Sequence, residues 1–220
     1  MDNFWENDLK AGYYDKILSN GLKKKRGIQA NWHNLTFLEA SKFLSENLDH
    51  LDYACGPGTL IGKYSKSNSI GIDISESQIR YANSVYGNVG NFYSLKQFDN
   101  LDSNKKYDVI TVIGLLEFIT DDEIYNLINK LKSLLKNNGK IIMTTPNYNF
   151  FMRFVQKLVD FFGKVNYKNQ QINRLNYKKI KKLNFEQIFS NVDIYNAVNM
   201  GVFFSFFSIR NPVPSERASP

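Results

Sequence analysis

Two acidic residues and two glycines in the first half of the chain have the types and spacing of a nucleotide-like cofactor site. Asp52 lies inside the predicted strand that ends at Leu51–Ala54, just before the predicted tight turn Cys55–Gly58. A carboxylate buried for structure alone would be costly, because it loses its hydration. Gly56 and Gly58 lack a Cβ and allow close approach of a ligand, and the free N–H groups of the next helix favour an electron-rich or anionic group.

A second acidic residue lies at the distance expected for ribose recognition. Asp73 follows the short apolar run Ile70–Ile72 and lies 21 residues after Asp52 (73 − 52). An acidic residue about 20 residues beyond a glycine turn is placed at the tip of the second strand, where it can accept hydrogen bonds from ribose hydroxyls. The pattern therefore predicts a cofactor with a ribose.

Four stretches of the chain resemble, in order, the motifs of class I S-adenosylmethionine-dependent methyltransferases. Leu51-Asp-Tyr-Ala-Cys-Gly-Pro-Gly-Thr59 and Gly71-Ile-Asp-Ile-Ser75 are similar to the first two motifs. Tyr107–Ile119 looks like the family's fourth strand and its exit, and Leu134–Asn147 looks like the fifth strand and the turn before it. The resemblance covers about half of the chain.

The resemblance implies S-adenosylmethionine as cofactor and assigns most of its contacts. In this family the in-strand acid and the glycine turn hold the amino-acid end, the second acid holds the ribose, and the end of strand four lines the methyl side. The corresponding residues here are Asp52, Ala54, Gly56 and Gly58, then Asp73 with Ile74 beside it, and then Ile113. Relatives usually carry an acid after strand three for the adenine, whereas this chain offers Gln97, whose carbonyl could replace it.

Two residues are candidates for a general base. Methyl transfer depends largely on proximity and alignment, but a hydroxyl acceptor is helped by a base within hydrogen-bond reach. His33 precedes the first strand and Glu117 follows the fourth, although His33 could equally be an ordinary helix-start residue. Many relatives have Leu-Glu-His after strand four; this chain has Phe118 in place of that histidine.

Composition favours a folded single-domain protein. The chain has 220 residues, of which 43% are hydrophobic and 15% aromatic, as in globular proteins. Cys55 is the only cysteine, which excludes an intramolecular disulfide, and no Cys/His spacing of a zinc site is present, so no metal is expected. The start lacks the features of a secretory signal, and no transmembrane segment is expected, so a cytoplasmic location is predicted.

Basic residues form two clusters in a chain of net charge +7, namely Lys23–Arg26 and Lys178–Lys182. Such clusters could contact nucleic acid or an anionic membrane surface peripherally. A solvated surface is the simpler interpretation, and nucleic acid is a possible but not favoured partner.

Alternating strand and helix signals from residue 48 predict an α/β fold. The expected fold is Rossmann-like: a seven-stranded, mostly parallel sheet with helices on both faces and a C-terminal antiparallel hairpin. Capping boxes are predicted at Ser75–Gln78 and Thr120–Glu123. A helix is predicted from about 34 to 46, with Leu35, Leu38 and Leu44 buried.

The predicted organisation is one methyltransferase domain, residues 1–210. It comprises an N-terminal helical lid (1–46), a cofactor-binding core (48–147), a lid or substrate insertion (148–176), and a closing helix and hairpin (177–210), followed by a disordered tail (211–220). Tyr13, Tyr14 and Trp32 in the lid are candidates to face the site. The apolar stripe within 151–162 either packs in the core or forms a wall for a lipid or aromatic substrate.

The predicted function is S-adenosylmethionine-dependent methylation of a hydroxyl on a small molecule, sugar or lipid precursor. A nucleic-acid methyltransferase and a non-catalytic cofactor-binding relative stay open as alternatives. A nicotinamide-dependent oxidoreductase is disfavoured, because its third glycine would fall at Ile61.

Overall fold

The computed structural model describes residues 4–101, 105–148, 173–183 and 185, together with the backbone of strands 191–196 and 204–210. Its centre is a seven-stranded sheet in the order β3-β2-β1-β4-β5-β7-β6. The strands are β1 Asp49–Tyr53, β2 Asn68–Asp73, β3 Asn91–Ser94, β4 Tyr107–Ile113, β5 Leu135–Pro146, β6 Asn191–Asn196 and β7 Phe204–Arg210. Strands β1 to β5 are parallel, and β7 runs antiparallel to both β5 and β6.

Helices precede the sheet and connect its strands. A π-helical turn spans Phe4–Asp8, and a 3-10 turn spans Leu116–Phe118. The α-helices are α1 Tyr13–Lys23, α2 Ile28–Ser41, α3 Thr59–Lys63, α4 Glu76–Tyr86, α5 Leu95–Phe98, α6 Asp121–Ser133 and α7 Tyr177–Lys182. The predicted Rossmann-like α/β class, a parallel sheet with helices, is confirmed.

The central strands β1 and β4 are largely buried because helices cover both faces of the sheet. On one face, Leu51 of β1 and Ile110 of β4 are fully buried in a cluster with Ile124 and Ile128 of α6. These two α6 residues are four positions apart, which places them on one side of the helix. On the opposite face, Val109 packs with residues of α2 and α3.

The capping predictions are confirmed at one helix and half correct at the other. Thr120 Oγ1 accepts a hydrogen bond from Glu123 N at 3.2 Å, and Glu123 Oε2 accepts from Thr120 N at 2.7 Å. Ser75 Oγ accepts from Gln78 N at 3.3 Å, but the Gln78 side chain accepts from Gly12 N at 3.0 Å. Gln78 therefore joins α4 to the N-terminal segment instead of closing the box.

The helix before the first strand differs from its prediction in bounds and in buried face. Helix α2 spans Ile28–Ser41, and Leu35 and Leu38 are 39% and 44% exposed. Thr36 and Ala40 face inward instead, while Leu44 is buried in the turn after the helix. The rotation of a helix depends on how it docks on the sheet, and small residues allow closer docking than leucines do.

One buried carboxylate ties the N-terminal helices to the rest of the fold. Asp15 of α1 accepts hydrogen bonds from Tyr86 OH at 2.7 Å, Tyr81 OH at 2.8 Å and Thr59 Oγ1 at 3.2 Å, and it pairs with Lys63 Nζ at 2.9 Å. Burial alone would raise the pKa of Asp15, but these bonds outweigh it and lower the pKa below its usual range. Asp15 is therefore ionised in the folded protein at neutral pH.

We expect Asp15→Asn to lower the free energy of unfolding by about 2 kcal/mol at pH 7, because charge-assisted bonds to buried groups are lost. A carboxyl whose folded pKa is depressed stabilises the fold above its unfolded pKa and loses that effect as pH falls through the folded pKa. Urea unfolding should therefore show a difference from wild type at pH 7 that shrinks below about pH 4. Glu39→Gln, which removes an exposed ion pair with Lys42, serves as the control. A difference in the free energy of unfolding that is as large below about pH 4 as at pH 7 would contradict this role of the Asp15 charge.

Candidate functional site

A cavity of about 300 Å³ opens at the carboxyl ends of β1, β2 and β4. Ligands of open α/β sheets bind at this edge of the sheet. Its described lining comes from the strand ends, the turn after β1, the 3-10 turn and the N-terminal helices. The predicted site residues that line it are His33, Asp52, Ala54, Gly56, Asp73, Ile74, Ile113 and Glu117.

The turn after β1 has the conformation that close ligand approach requires. Ala54 and Gly56 have φ values of 64° and 52°, in the left-handed region. That region is strained for a residue with a Cβ, and such strain gathers at functional sites. A Cβ built on Gly56 would meet no atom within 4 Å, so its backbone faces open space in the cavity.

Gly58 is required by packing. A Cβ there would lie 2.6 Å from the Phe92 ring and 3.0 Å from Ala82 Cβ. Gly58 also has a φ of 73° and does not belong to the described lining of the cavity. The structure therefore places Gly58 where the turn packs against β3 and α4.

Asp52 is a buried carboxylate whose charge has little compensation within the described protein. It is 3% exposed, and Thr111 Oγ1 of β4 donates a hydrogen bond of 2.6 Å to its Oδ1. Burial raises the pKa of Asp52 to about 7, and the negative charge of Asp73 adds to this effect while the Thr111 bond opposes it. Such a group in a cavity is suited to bind a cation.

Asp73 joins the glycine turn to the start of α4. Its Oδ2 accepts a hydrogen bond from Gly56 N at 2.8 Å, and its Oδ1 accepts from Ser75 N at 2.9 Å. A carboxylate has about four lone-pair sites, so both oxygens retain capacity for a further donor. Ile74, beside it, is 47% exposed and lines the cavity.

Gln97, the predicted adenine contact, has another role. Its Oε1 accepts a hydrogen bond from Ser94 N at 2.8 Å, and Ser94 Oγ accepts from Gln97 N at 3.3 Å. The side-chain carbonyl thus closes the capping box of α5, and Gln97 is outside the described lining. The glutamine's spacing from Ser94 is the capping-box spacing, a signal that the sequence already contained.

Glu117 lines the cavity and has a buried, unsatisfied oxygen. Its Oε2 is buried and has no hydrogen-bond partner among the described residues. Burial raises the pKa of Glu117 to about 7. Buried polar atoms nearly always have partners, so this unpaired oxygen makes Glu117 a candidate to accept a hydrogen bond from a ligand.

His33 lies among aromatic rings on the N-terminal side of the cavity. Its ring centre is 5.3 Å from that of Tyr14 and 6.1 Å from that of Phe37. Burial lowers the pKa of His33 to about 4, which leaves the imidazole neutral at physiological pH. Tyr14 and Trp32 line the cavity, and Tyr13 is not part of its described lining.

The π-helical turn adds a residue that the motifs did not predict. Trp5 lines the cavity, and its ring packs edge-on against Phe118, 4.9 Å between centres. Next to it, Glu6 Oε2 accepts hydrogen bonds from Ser75 Oγ at 2.8 Å and from Ser77 N at 3.2 Å. The N-terminal turn is thereby fixed to α4 and to the 3-10 turn. The aromatic composition of residues 4 and 5 was its sole sequence signal.

The predicted insertion begins and ends beside the cavity. Tyr148, a lining residue, donates from its N–H to Leu175 O at 2.9 Å, and Asn173 N donates to Glu117 O at 2.6 Å. Asn173 Nδ2 also donates to Ile119 O at 2.9 Å. The apolar stripe within 151–162 lies outside the described residues.

The described residues show neither a metal cluster nor a membrane-spanning helix. The described residues contain no group of three or more His, Cys, Asp or Glu side chains arranged to hold a metal ion. Among the described helices, none has the length and apolar character needed to cross a membrane. In the second basic cluster Lys179 is engaged, since its Nζ donates to Asn173 Oδ1 at 2.7 Å.

Residues 44–193 match a protein family described as "Methyltransferase domain". Solved structures share the fold at low identity. A magnesium protoporphyrin IX methyltransferase from Synechocystis with bound S-adenosylhomocysteine is 17% identical with a TM-score of 0.56, over 93% of this chain and 90% of that one. A SAM-dependent methyltransferase from Methanosarcina mazei is 15% identical with a TM-score of 0.60, over 80% and 98%. No curated protein matches the sequence.

Proposed function

The chain belongs to the methyltransferase domain family, and we propose that it uses S-adenosylmethionine as its cofactor to methylate a hydroxyl group on a small, largely apolar or aromatic molecule. The observation that carries this proposal is that Glu117, whose buried Oε2 has no hydrogen-bond partner among the described residues, lines the same cavity as Asp52 and Asp73. One cavity thus contains candidate groups for the cofactor and a candidate base for the acceptor.

The residues of the cavity fit the proposed cofactor. Open space above Gly56 leaves room for the amino-acid end against the backbone, and the buried Asp52 carboxylate can accept from a cationic ammonium group. The oxygens of Asp73 retain acceptor capacity for ribose hydroxyls. Ile74 and Ile113 line the cavity and provide apolar contacts for the cofactor. When bound, the cofactor supplies a methyl group on a sulfonium, an electrophile that needs alignment with the acceptor above all.

The acceptor side of the cavity is rich in aromatic side chains. Those that line it are Trp5, Tyr14, Trp32, Phe37, Phe118 and Tyr148. Rings of this kind bury large apolar areas and stack on flat molecules. This lining supports an acceptor with an apolar or aromatic body more than a free sugar.

Glu117 and His33 are the proposed base candidates, with different protonation behaviour. A carboxyl with a pKa of about 7 is ready to take a proton near neutral pH. The His33 imidazole is neutral and would act as a base down to about pH 4. We favour Glu117, because its oxygen lacks a partner within the described residues whereas His33 packs against aromatic rings.

The N-terminal lid and the insertion complete the proposed acceptor pocket. Residues from the π-helical turn, α1 and α2 line the cavity, and the hydrogen bonds of Tyr148 and Asn173 place both ends of the insertion beside it. A covered site excludes water, which strengthens the electrostatic interactions of the buried carboxylates.

Transfer of a labelled methyl group from S-adenosylmethionine to a panel of acceptors tests the proposed function. We expect turnover of phenols or other apolar alcohols, and much less or none of free sugars, amines and nucleic acids. The Asp73→Ala variant, tested in parallel, should lose this turnover. Methylation confined to nucleic acid, or cofactor binding without turnover of any acceptor, would contradict the proposal and favour one of the two alternatives.

A further inference from the structure

We infer that His50 and Thr111 are positioning residues that form a one-directional hydrogen-bond chain to Asp52, keeping this carboxylate ionised and oriented for the cationic end of the cofactor. The inference rests on the proposed role of Asp52 in cofactor binding. It adds two residues to which the sequence analysis assigned no role.

The register of the sheet brings the members of this chain together. His50 and Asp52 are two residues apart on β1 and therefore point to the same face. In the parallel ladders His50 lies opposite Ser69 of β2, and Asp52 lies opposite Thr111 of β4. His50 Nδ1 is 2.9 Å from Ser69 Oγ, His50 Nε2 is 2.8 Å from Thr111 Oγ1, and Thr111 Oγ1 is 2.6 Å from Asp52 Oδ1.

The direction of each bond follows from the acceptor at the end of the chain. An ionised carboxylate can only accept, so the single hydroxyl proton of Thr111 points to Asp52. Thr111 Oγ1 must then accept from His50, which requires the proton on Nε2. The neutral imidazole has its other nitrogen, Nδ1, free to accept from Ser69 Oγ. One tautomer of His50 is therefore selected by the network.

The hydrogen-bond chain extends beyond His50 towards the start of β2. Ser65 Oγ lies 2.9 Å from Ser69 Oγ and accepts from Ser67 N at 3.1 Å. The single hydroxyl proton of Ser69 has two acceptors within reach, Ser67 O at 3.1 Å and His50 Nδ1 at 2.9 Å. With the His50 proton on Nε2, we assign the Ser69 proton to Nδ1, and Ser65 can then donate to Ser69. All these donors are oriented towards Asp52, and aligned hydrogen bonds polarise one another in a buried environment. The orientation stabilises a negative charge at the end of the chain.

This support opposes two effects that disfavour the ionised form of Asp52. Burial removes hydration, and the charge of Asp73 repels a second negative charge. Burial lowers the pKa of His50 to about 3, so the ring contributes an N–H dipole and no positive charge. Thr111 and Asp73 are the side chains that act on Asp52 within the described part of the chain, and neither is a cation; we therefore assign the neutralising cation to the ligand.

Several titratable groups surround Asp52 on the elements that contact its cavity, and a pH profile must be interpreted with them in mind. They are Tyr14 on α1, His33 on α2, His50 on β1, Cys55 in the turn, Asp73 at the end of β2 and Glu117 after β4. Burial raises the pKa of the Cys55 thiol well above its usual value, which keeps it neutral. A variant that changes Thr111 alone isolates the contribution of the chain.

The first test uses NMR on the free protein and needs no cofactor. The ¹⁵N shifts of His50 should show a proton on Nε2 and none on Nδ1 at neutral pH. Thr111→Val, which keeps the side-chain shape and removes the hydroxyl, should raise the titration midpoint of the Asp52 carboxyl by about one pH unit, since a hydrogen bond to a charged group is lost. The opposite tautomer, or an unchanged Asp52 midpoint, overturns the proposal.

Thr145→Val is the matched control. Thr145 is fully buried on β5, and its Oγ1 has no hydrogen-bond partner among the described residues. Thr145→Val removes a hydroxyl from the same residue type and should leave the titration midpoint of the Asp52 carboxyl unchanged. A similar shift in both variants would mean that any buried Thr→Val change perturbs Asp52, and would overturn the role of the chain.

Calorimetric titration with S-adenosylhomocysteine from pH 5.5 to 8 then tests the functional consequence. Affinity should fall as pH drops and Asp52 takes up a proton, and this acid limb should move to higher pH by about one unit in Thr111→Val. An equal loss of affinity at every pH would indicate a structural role and overturn the proposal. No binding to wild type would instead contradict the proposed function. The NMR result would still decide whether the hydrogen-bond chain from His50 to Asp52 exists.

Discussion

Asp73→Ala is expected to weaken binding of S-adenosylmethionine and S-adenosylhomocysteine by more than about a hundredfold. Two hydrogen bonds from ribose hydroxyls to a charged acceptor contribute about 3 kcal/mol together, which corresponds to that factor. The variant also frees Gly56 N and Ser75 N, which Asp73 now holds at 2.8 and 2.9 Å. Isothermal titration calorimetry of both ligands at pH 7.5 measures the effect.

Adenosine separates the ribose contact from the amino-acid contact. This ligand has the ribose but lacks the amino-acid end, so Asp73→Ala should weaken the binding of adenosine as well. Asp52→Asn should weaken the binding of S-adenosylhomocysteine and leave the affinity for adenosine unchanged. Glu76→Ala is the control, because Glu76 is an exposed carboxylate in the first turn of α4. Unchanged affinity of Asp73→Ala for all three ligands would contradict the proposed placement of the ribose.

Glu117→Gln is expected to reduce kcat by a factor of about 10² to 10⁴, the usual contribution of a general base. The amide keeps the size of the side chain but cannot take the proton of the acceptor. Cofactor affinity should stay within about twofold of wild type, because Glu117 is assigned to the acceptor. Single-turnover methyl transfer at saturating cofactor, with the acceptor found in the panel, measures the chemical step.

The pH dependence of the same reaction distinguishes the two base candidates. Glu117 must be deprotonated to act, so the rate should rise with pH and level off above its pKa of about 7. With His33 as base, the rate would already be level above about pH 4. A profile without a limb near pH 7, together with full activity of Glu117→Gln and loss of activity in His33→Gln, would assign the base to His33.

The sequence determined most of the cofactor side because its elements are consecutive. A strand, a tight turn and a helix follow one another at Asp52 and the glycines, so their spacing along the chain fixes their positions in space. The same holds for Asp73 at the tip of β2, for Ile113 at the end of β4 and for the capping box at Thr120. Asp52, Gly56, Asp73 and Ile113 line the cavity, and Thr120 caps its helix; the roles of the first four in cofactor binding stay a prediction.

The tertiary structure decided the features that depend on docking and on register. Spacing could not show that α2 turns Ala40 inward and Leu35 outward, nor that Trp5 packs on Phe118. It also could not show that Gly58 makes room for Phe92. These outcomes depend on the surfaces that meet when separate elements pack.

The chain to Asp52 illustrates the same limit within the best-predicted motif. His50 is two residues from Asp52, yet its partners Ser69 and Thr111 are 19 and 61 residues away in sequence. The sequence alone fixes which residues of a strand share a face, because backbone geometry alternates side chains. Which residues of the neighbouring strands meet them is set by the register of the assembled sheet, and only the folded structure contains that information.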